Sequence, residues 1–220
     1  MRAESPTPLK TPRPMLPAAL VVTAGIVAAM HVGKVAPAIP VLQAQLGLTL
    51  VQAGWLLSLS QMAGMLTAVF IGMFADGFGL RRSLLTGLTL LGALSLLTGM
   101  ATTAPQMLSL RAVEGAAILL VIVPAPALLR TLVDPAQLST AMGFWGTFMP
   151  AGTASALLLG PVLMANAGWA MWWGALGGLA LSMAVLFAWG VPPASHRPLT
   201  FERGRLVAVL RTPQVWRVAL

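Results

Sequence analysis

Apolar runs of some twenty residues recur along this 220-residue chain, separated by short polar gaps. At ~1.5 Å of rise per residue, a helical run of that length crosses roughly 30 Å of hydrocarbon. Charged residues make up 8% of the chain and hydrophobic ones 58%, with mean hydropathy +0.88. A soluble globular chain carries about a quarter charged residues, so the pattern points to an all-α integral membrane protein. The net charge of +8 raises nucleic acid as a partner. A nucleic-acid-binding domain, however, gathers its Lys and Arg on one face. Here they fall in the gaps between apolar runs, and no nucleic-acid partner is expected.

The runs divide the chain into a six-helix transmembrane bundle over residues 15–191, flanked by polar ends. Residues 1–14 are a basic, Pro-rich tail, expected to be disordered. The run behind it is too long, and lacks the small-residue cleavage site, for a signal peptide. Segment one is about 15–33. Pro37 and Pro40 then break the helix, and Gln43–Thr49 reads as a polar connection ending in a cap-like Thr49. Segment two, 51–74, carries Gly64, Ala68 and Gly72 at four-residue spacing, a small-residue face for close helix packing. Segment three is 83–100, with Ser83 a candidate N-cap. Pro105 suits the first turn of segment four, 105–129. Segment five, 138–165, repeats the small-residue spacing with Gly152, Ala156 and Gly160. Segment six is 169–191, and Trp169, Trp172 and Trp173 at its start read as an interfacial aromatic belt. Residues 192–213 form a basic linker, within which Phe201–Arg211 has the pattern of a surface-lying amphipathic helix. Residues 214–220 read as the start of a truncated seventh helix.

Basic residues set the orientation. The tail has three, the gap after segment two has two, the loop after segment four has one, and everything after segment six has five. The turns after segments three and five have none. Eleven of the thirteen Lys and Arg thus fall on alternate connections, which places both the N and C ends in the cytoplasm. The expected location is a bacterial inner (plasma) membrane.

The two basic residues left over are the interesting ones. Arg111 lies about 9 Å inside segment four, three residues before Glu114 on the same helix face. Charge at such depth costs a few kcal/mol, so both should face the bundle interior and have a partner. They read as a proton relay or an anion site, against a structural ion pair. His31 and Lys34, also three apart, lie near the end of segment one. A histidine titrates near neutral pH and suits proton coupling. Lys34 either attracts an anionic substrate or snorkels to the interface with His31 packed beside it. Gln61 and Asn166 read as interhelical hydrogen-bonding groups.

A third constellation is the stretch Gly72-Met-Phe-Ala-Asp76-Gly-Phe-Gly79-Leu-Arg81-Arg82. Asp76 is the only acid between Glu4 and Glu114. One acid, glycines and two Arg in so short a connection read as a charged hinge between helices. Gly72, Ala75, Asp76, Gly79, Arg81 and Leu84 match the loop motif of the major facilitator superfamily, G-x-L-a-D-r-x-G-r-r-x-x-l. Gly77 and Leu80 depart from it. Arg111-Ala-Val-Glu114-Gly115-Ala116-Ala117 is similar to a second pattern of that family on segment four, with Glu114 where Gln is more usual. Gly143, Gly146, Pro150, Gly152, Gly160 and Pro161 resemble its antiporter signature, but Ala156-Leu157 replaces the central Gly-Pro.

The chain therefore resembles the N-terminal six-helix half of a major facilitator transporter, with general similarity to the cyanate/nitrite-permease-like branch. The resemblance implies alternating access by two bundles of inverted three-helix repeats. Arg111, Glu114 and His31 are expected to line the cavity, with Lys34 in the substrate or proton pathway. Asp76 and Arg81, with Gly72, Gly79 and Arg82, are expected to gate the cytoplasmic side. A small solute, with a small anion as the finer reading, is the implied substrate and H+ the implied coupling ion. Drug/proton efflux and a half-size chain inactive alone are the alternatives. The second six-helix half would come from the same chain if this one is truncated, otherwise from a partner. No metal cluster, P-loop, dinucleotide fingerprint or nucleophile elbow is present, and the absence of Cys excludes thiolate chemistry. Neither an enzyme nor a cofactor is expected.

Overall fold

A computed structural model describes residues 15–193. The tail 1–14, the amphipathic stretch 201–211 and the seventh-helix start at 214–220 lie outside the described residues. Helix α1 (Leu16–Gly33) starts with Pro17 in its first turn, where the missing N–H costs nothing. A 3-10 turn at Ala36–Ala38 follows, then α2 (Ile39–Leu46), which ends on Gly47 at φ 62°. Pro37 and Pro40 therefore punctuate the first segment without ending it. Each falls at the start of the next helical piece, so the helical path runs on through Gln43 to Leu46.

Helix α3 (Leu50–Phe78) opens with a capping box: Thr49 Oγ1 accepts from the Gln52 N–H, and Gln52 Oε1 accepts from the Thr49 N–H. The charged stretch is not a loop. α3 runs through Asp76 to Phe78, and α4 (Leu80–Gly99) starts one residue later. The whole connection is Gly79, at φ 105° and ψ 131°, a conformation that a Cβ would strain. Ser83, expected as a cap, is instead buried inside α4.

Helix α5 (Ala104–Ile122) carries Pro105 in its first turn, and Pro124 separates it from α6 (Ala125–Leu132), whose first turn holds Pro126. A 3-10 turn at Pro135–Gln137 leads to α7 (Leu138–Gly146) and α8 (Phe148–Gly190). Gly168, at φ 79° and ψ 168°, breaks α8 into limbs 148–167 and 169–190.

Four stretches among the described residues are long and apolar enough to cross a bilayer: Leu16–Leu46, Leu80–Gly99, Ala104–Leu132 and Pro135–Gly190. The last is folded in two at Gly168. With α3, whose 29 residues reach about 43 Å, the described residues hold six helical limbs of about spanning length. α1 packs along α8, α3 along α5, and α4 lies between α5 and α8. At several crossings there is room only for glycine. A Cβ on Gly115 would enter the backbone of Ser60, and one on Gly152 would enter the Ile26 carbonyl and Ala29. Gly160 faces Pro37 and Trp172, Gly64 leaves ordinary room beside Leu119, and a Cβ on Gly72 would meet nothing. The close approach of α3 and α5 is thus supplied from α5.

Two apolar cores result. One joins Val27, Leu91, Ile118 and Phe187, and the other joins Met30, Leu56, Met107 and Trp172. Along α1, α4 and α5, the polar residues His31, Ser95, Arg111 and Glu114 lie where one core gives way to the other.

Candidate functional site

Four ionisable side chains, His31, Lys34, Arg111 and Glu114, meet in that seam. His31, Lys34 and Glu114 are 0% exposed and Arg111 1%, so none of these charges is offset by water. Each buried ion costs several kcal/mol in desolvation, which only a partner with good geometry offsets. Glu114 supplies that partner twice. Its Oε1 lies 2.5 Å from Lys34 Nζ and its Oε2 2.7 Å from Arg111 Nη1. The pair foreseen on one helix is therefore a triad that ties the end of α1 to α5.

Both cations are also held by neutral groups. Lys34 Nζ donates to Ser95 Oγ at 3.0 Å, and Ser95 Oγ donates in turn to Trp173 O at 2.9 Å. The ammonium sits 5.3 Å from the Trp173 ring centre, within cation–π range. Trp172 Nε1 donates to Lys34 O at 3.2 Å. Arg111 spreads its fork over three backbone carbonyls, His31 O at 2.8 Å, Val32 O at 3.3 Å and Leu56 O at 3.4 Å. The planar guanidinium thus joins α1, α3 and α5, as a lysine ammonium could not.

His31 stands one turn before Lys34. Its Nδ1 lies 2.9 Å from Val27 O, and because a carbonyl only accepts, Nδ1 carries the proton. Nε2 is then an acceptor, buried and without a hydrogen-bond partner.

The arrangement can do one chemical thing well. A single carboxylate holds two cations from two helices, so a proton delivered to it weakens both bridges at once.

The family model of the Major Facilitator Superfamily matches residues 21–220. The chain belongs to the Major Facilitator Superfamily. The family is one of membrane transporters, and the long apolar helices make this chain an integral membrane protein. A curated relative, the tetracenomycin C resistance and export protein of Streptomyces glaucescens, is 27% identical over 154 residues, covering 70% of this chain. The chain covers 29% of that relative's length.

Within this facilitator bundle the hinge residues are placed as follows. Arg81 donates from Nε to Val191 O at 2.7 Å and from Nη2 to Ala188 O at 2.6 Å. It caps the C-terminus of α8, where carbonyls lack helical partners and the helix dipole favours a cation. Arg82 is exposed and Gly72 half-buried. Asn166, expected to bond between helices, donates to Val162 O on its own helix. The aromatic belt read at Trp169, Trp172 and Trp173 is an interior cluster, with Trp172 at 1% and Trp173 at 0% exposure. Lys34 does not snorkel; it is the hub.

Sequence reasoning missed Ser95, Trp172 and Trp173. Ser95 carried no signal among the other hydroxyls of its helix. Three tryptophans in five residues did carry one, but burial beside a lysine 138 positions away is a tertiary fact.

Proposed function

We propose that this bundle is one half of a secondary transporter that exports an organic solute in exchange for protons, with Glu114 as the proton-accepting group. The observation that carries the reading is the double engagement of Glu114, by Lys34 and by Arg111, in a water-free seam. Protonating it breaks the Lys34 ion pair between α1 and α5 and leaves the Arg111 bonds to His31 O and Val32 O, a loosening of the kind a transporter that alternates between two states needs. Export is supported by the relative, which is named for resistance and export. In this reading both chain ends face the cytoplasm, and a second six-helix half, in the same or a partner chain, completes the cavity.

Gating is assigned to the junction of α3 and α4. Asp76, Gly79 and Arg81 act there as the cytoplasmic lock, supported by the grip of Arg81 on the end of α8. Asp76→Asn should slow turnover with little change in substrate affinity; a pure loss of affinity argues against the lock.

The test of coupling uses everted membrane vesicles and a toxic organic compound identified by growth protection. Glu114→Gln should abolish pH-gradient-driven accumulation of that compound while solute–solute exchange continues. Undiminished gradient-driven accumulation by Glu114→Gln refutes the assignment. A second reading, uptake of a small anion, draws on the two cations to one carboxylate in the cluster. Uptake of radiolabelled cyanate or nitrite without any growth protection would favour it.

A further inference from the structure

Beside the charged seam, a cavity of about 250 Å³ opens between α1, α3, α5 and α8. Val32, Ile118, Met65 and Met149 give it an apolar wall, and Ser60 and Gln61 are its polar groups. His31, Lys34, Arg111 and Glu114 do not line it, although Val32 and Gly115 each adjoin one of them in the chain.

Ser60 is the unusual member. Several hydroxyls inside these helices bond back to the carbonyl four residues earlier, as Ser58 does to Gly54 O at 3.0 Å and Thr67 to Ala63 O at 2.7 Å. For Ser60 that carbonyl is Leu56 O, which already accepts from Arg111 Nε. Ser60 is 4% exposed, and its Oγ has no hydrogen-bond partner. A buried hydroxyl left unpaired costs free energy until something bonds to it. Gly115 fixes the Ser60 backbone against α5, so this part of the wall cannot shift to find a partner.

We propose that this cavity is a subsite for an uncharged, largely apolar part of the transported solute, and that Ser60 Oγ donates a hydrogen bond to a carbonyl oxygen on it. The inference rests on the exporter reading and narrows its substrate to neutral, largely apolar solutes bearing a carbonyl. An ionised group in the same place would be desolvated with no counter-charge in the wall. Met65 and Met149, flexible and polarizable, let the wall fit more than one shape of apolar group.

The test measures equilibrium binding of four probes to the purified protein in detergent, as its own cells make it. The probes are 9-fluorenone, fluorene, fluorenone-2-carboxylate and a trimethylammonium fluorenone. Fluorenone should bind tightest. Ser60→Ala should weaken fluorenone roughly 3- to 10-fold, the worth of one hydrogen bond, and leave fluorene unchanged. Ala68→Leu, which adds bulk one turn beyond Gly64, should weaken both neutral probes together. The proposal is overturned if Ser60→Ala leaves fluorenone binding unchanged, if a charged probe binds as tightly as fluorenone, or if no probe binds. Its failure is separable from that of the exporter reading. Proton-driven export that is lost in Glu114→Gln but indifferent to Ser60→Ala sinks the subsite alone. Ser60-dependent fluorenone binding without any proton-driven export sinks the exporter reading alone.

Discussion

Glu114 is the residue on which the interior of the bundle turns, and its replacement by Gln has a magnitude that can be worked out. In Glu114→Gln, Lys34 keeps Ser95 Oγ and the Trp173 face, and Arg111 keeps its three carbonyls. Neither retains a counter-charge, so two cations stay buried at 0% and 1% exposure. Breaking a buried ion pair by removing one partner costs about 3–5 kcal/mol. Lys34→Met is milder, about 1–3 kcal/mol, because Glu114 keeps Arg111 and the methionine fills the lysine's apolar stem volume. In the double variant, Lys34→Met removes an uncompensated cation and should cost nothing further. The coupling between the two positions should therefore reach about 2 kcal/mol. Unfolding in mixed micelles of increasing SDS fraction, followed by tryptophan fluorescence, reads the cycle, since Trp172 and Trp173 lie against Lys34. Lys34→Met costing the same in both backgrounds, within about 0.5 kcal/mol, would refute the triad as an energetic unit.

Other expectations follow from single contacts. Arg81→Ala loses two hydrogen bonds to the last carbonyls of α8 and should destabilise by about 1–3 kcal/mol. Hydrogen exchange should quicken at the C-terminal end of α8, and unchanged exchange there would count against the cap. Gly115→Ala drives a methyl into the Ser60 backbone and should cost about 1–3 kcal/mol, seen as a lower melting temperature. Gly168→Ala forces a side chain into a backbone region kept for glycine, at about 1–3 kcal/mol, although open space surrounds it. Trp172→Phe loses the bond to Lys34 O, worth about 0.5–1.5 kcal/mol, whereas Trp189→Phe, on an 83% exposed residue, should stay within about 0.5 kcal/mol of the parent.

What was legible in the sequence follows from which interactions are local. The cap at Thr49, the proline at the start of α5 and the break between the fifth and sixth segments are decided within a few residues, and they lie where the pattern puts them. Arg111 and Glu114 were legible too, because three residues on a helix set their side chains together and bilayer depth requires a partner. Lys34 was harder to read for a physical reason. Taken as a residue near a helix end, it had water within reach of its four-carbon stem. That reading assumed that Pro37 and Pro40 ended the span, yet both fit the starts of new helical pieces, and the path continues to Leu46. Lys34 is thereby kept twelve residues from the end of its span, too deep to snorkel. Once water is out of reach, the lone acid of α5 is the partner able to offset its charge, and the tryptophans that seemed to belong to the membrane surface close over the pair. Prolines that continue a helical path thus moved a lysine from the interface to the centre of the site, and its new neighbours account for the buried Trp172 and Trp173.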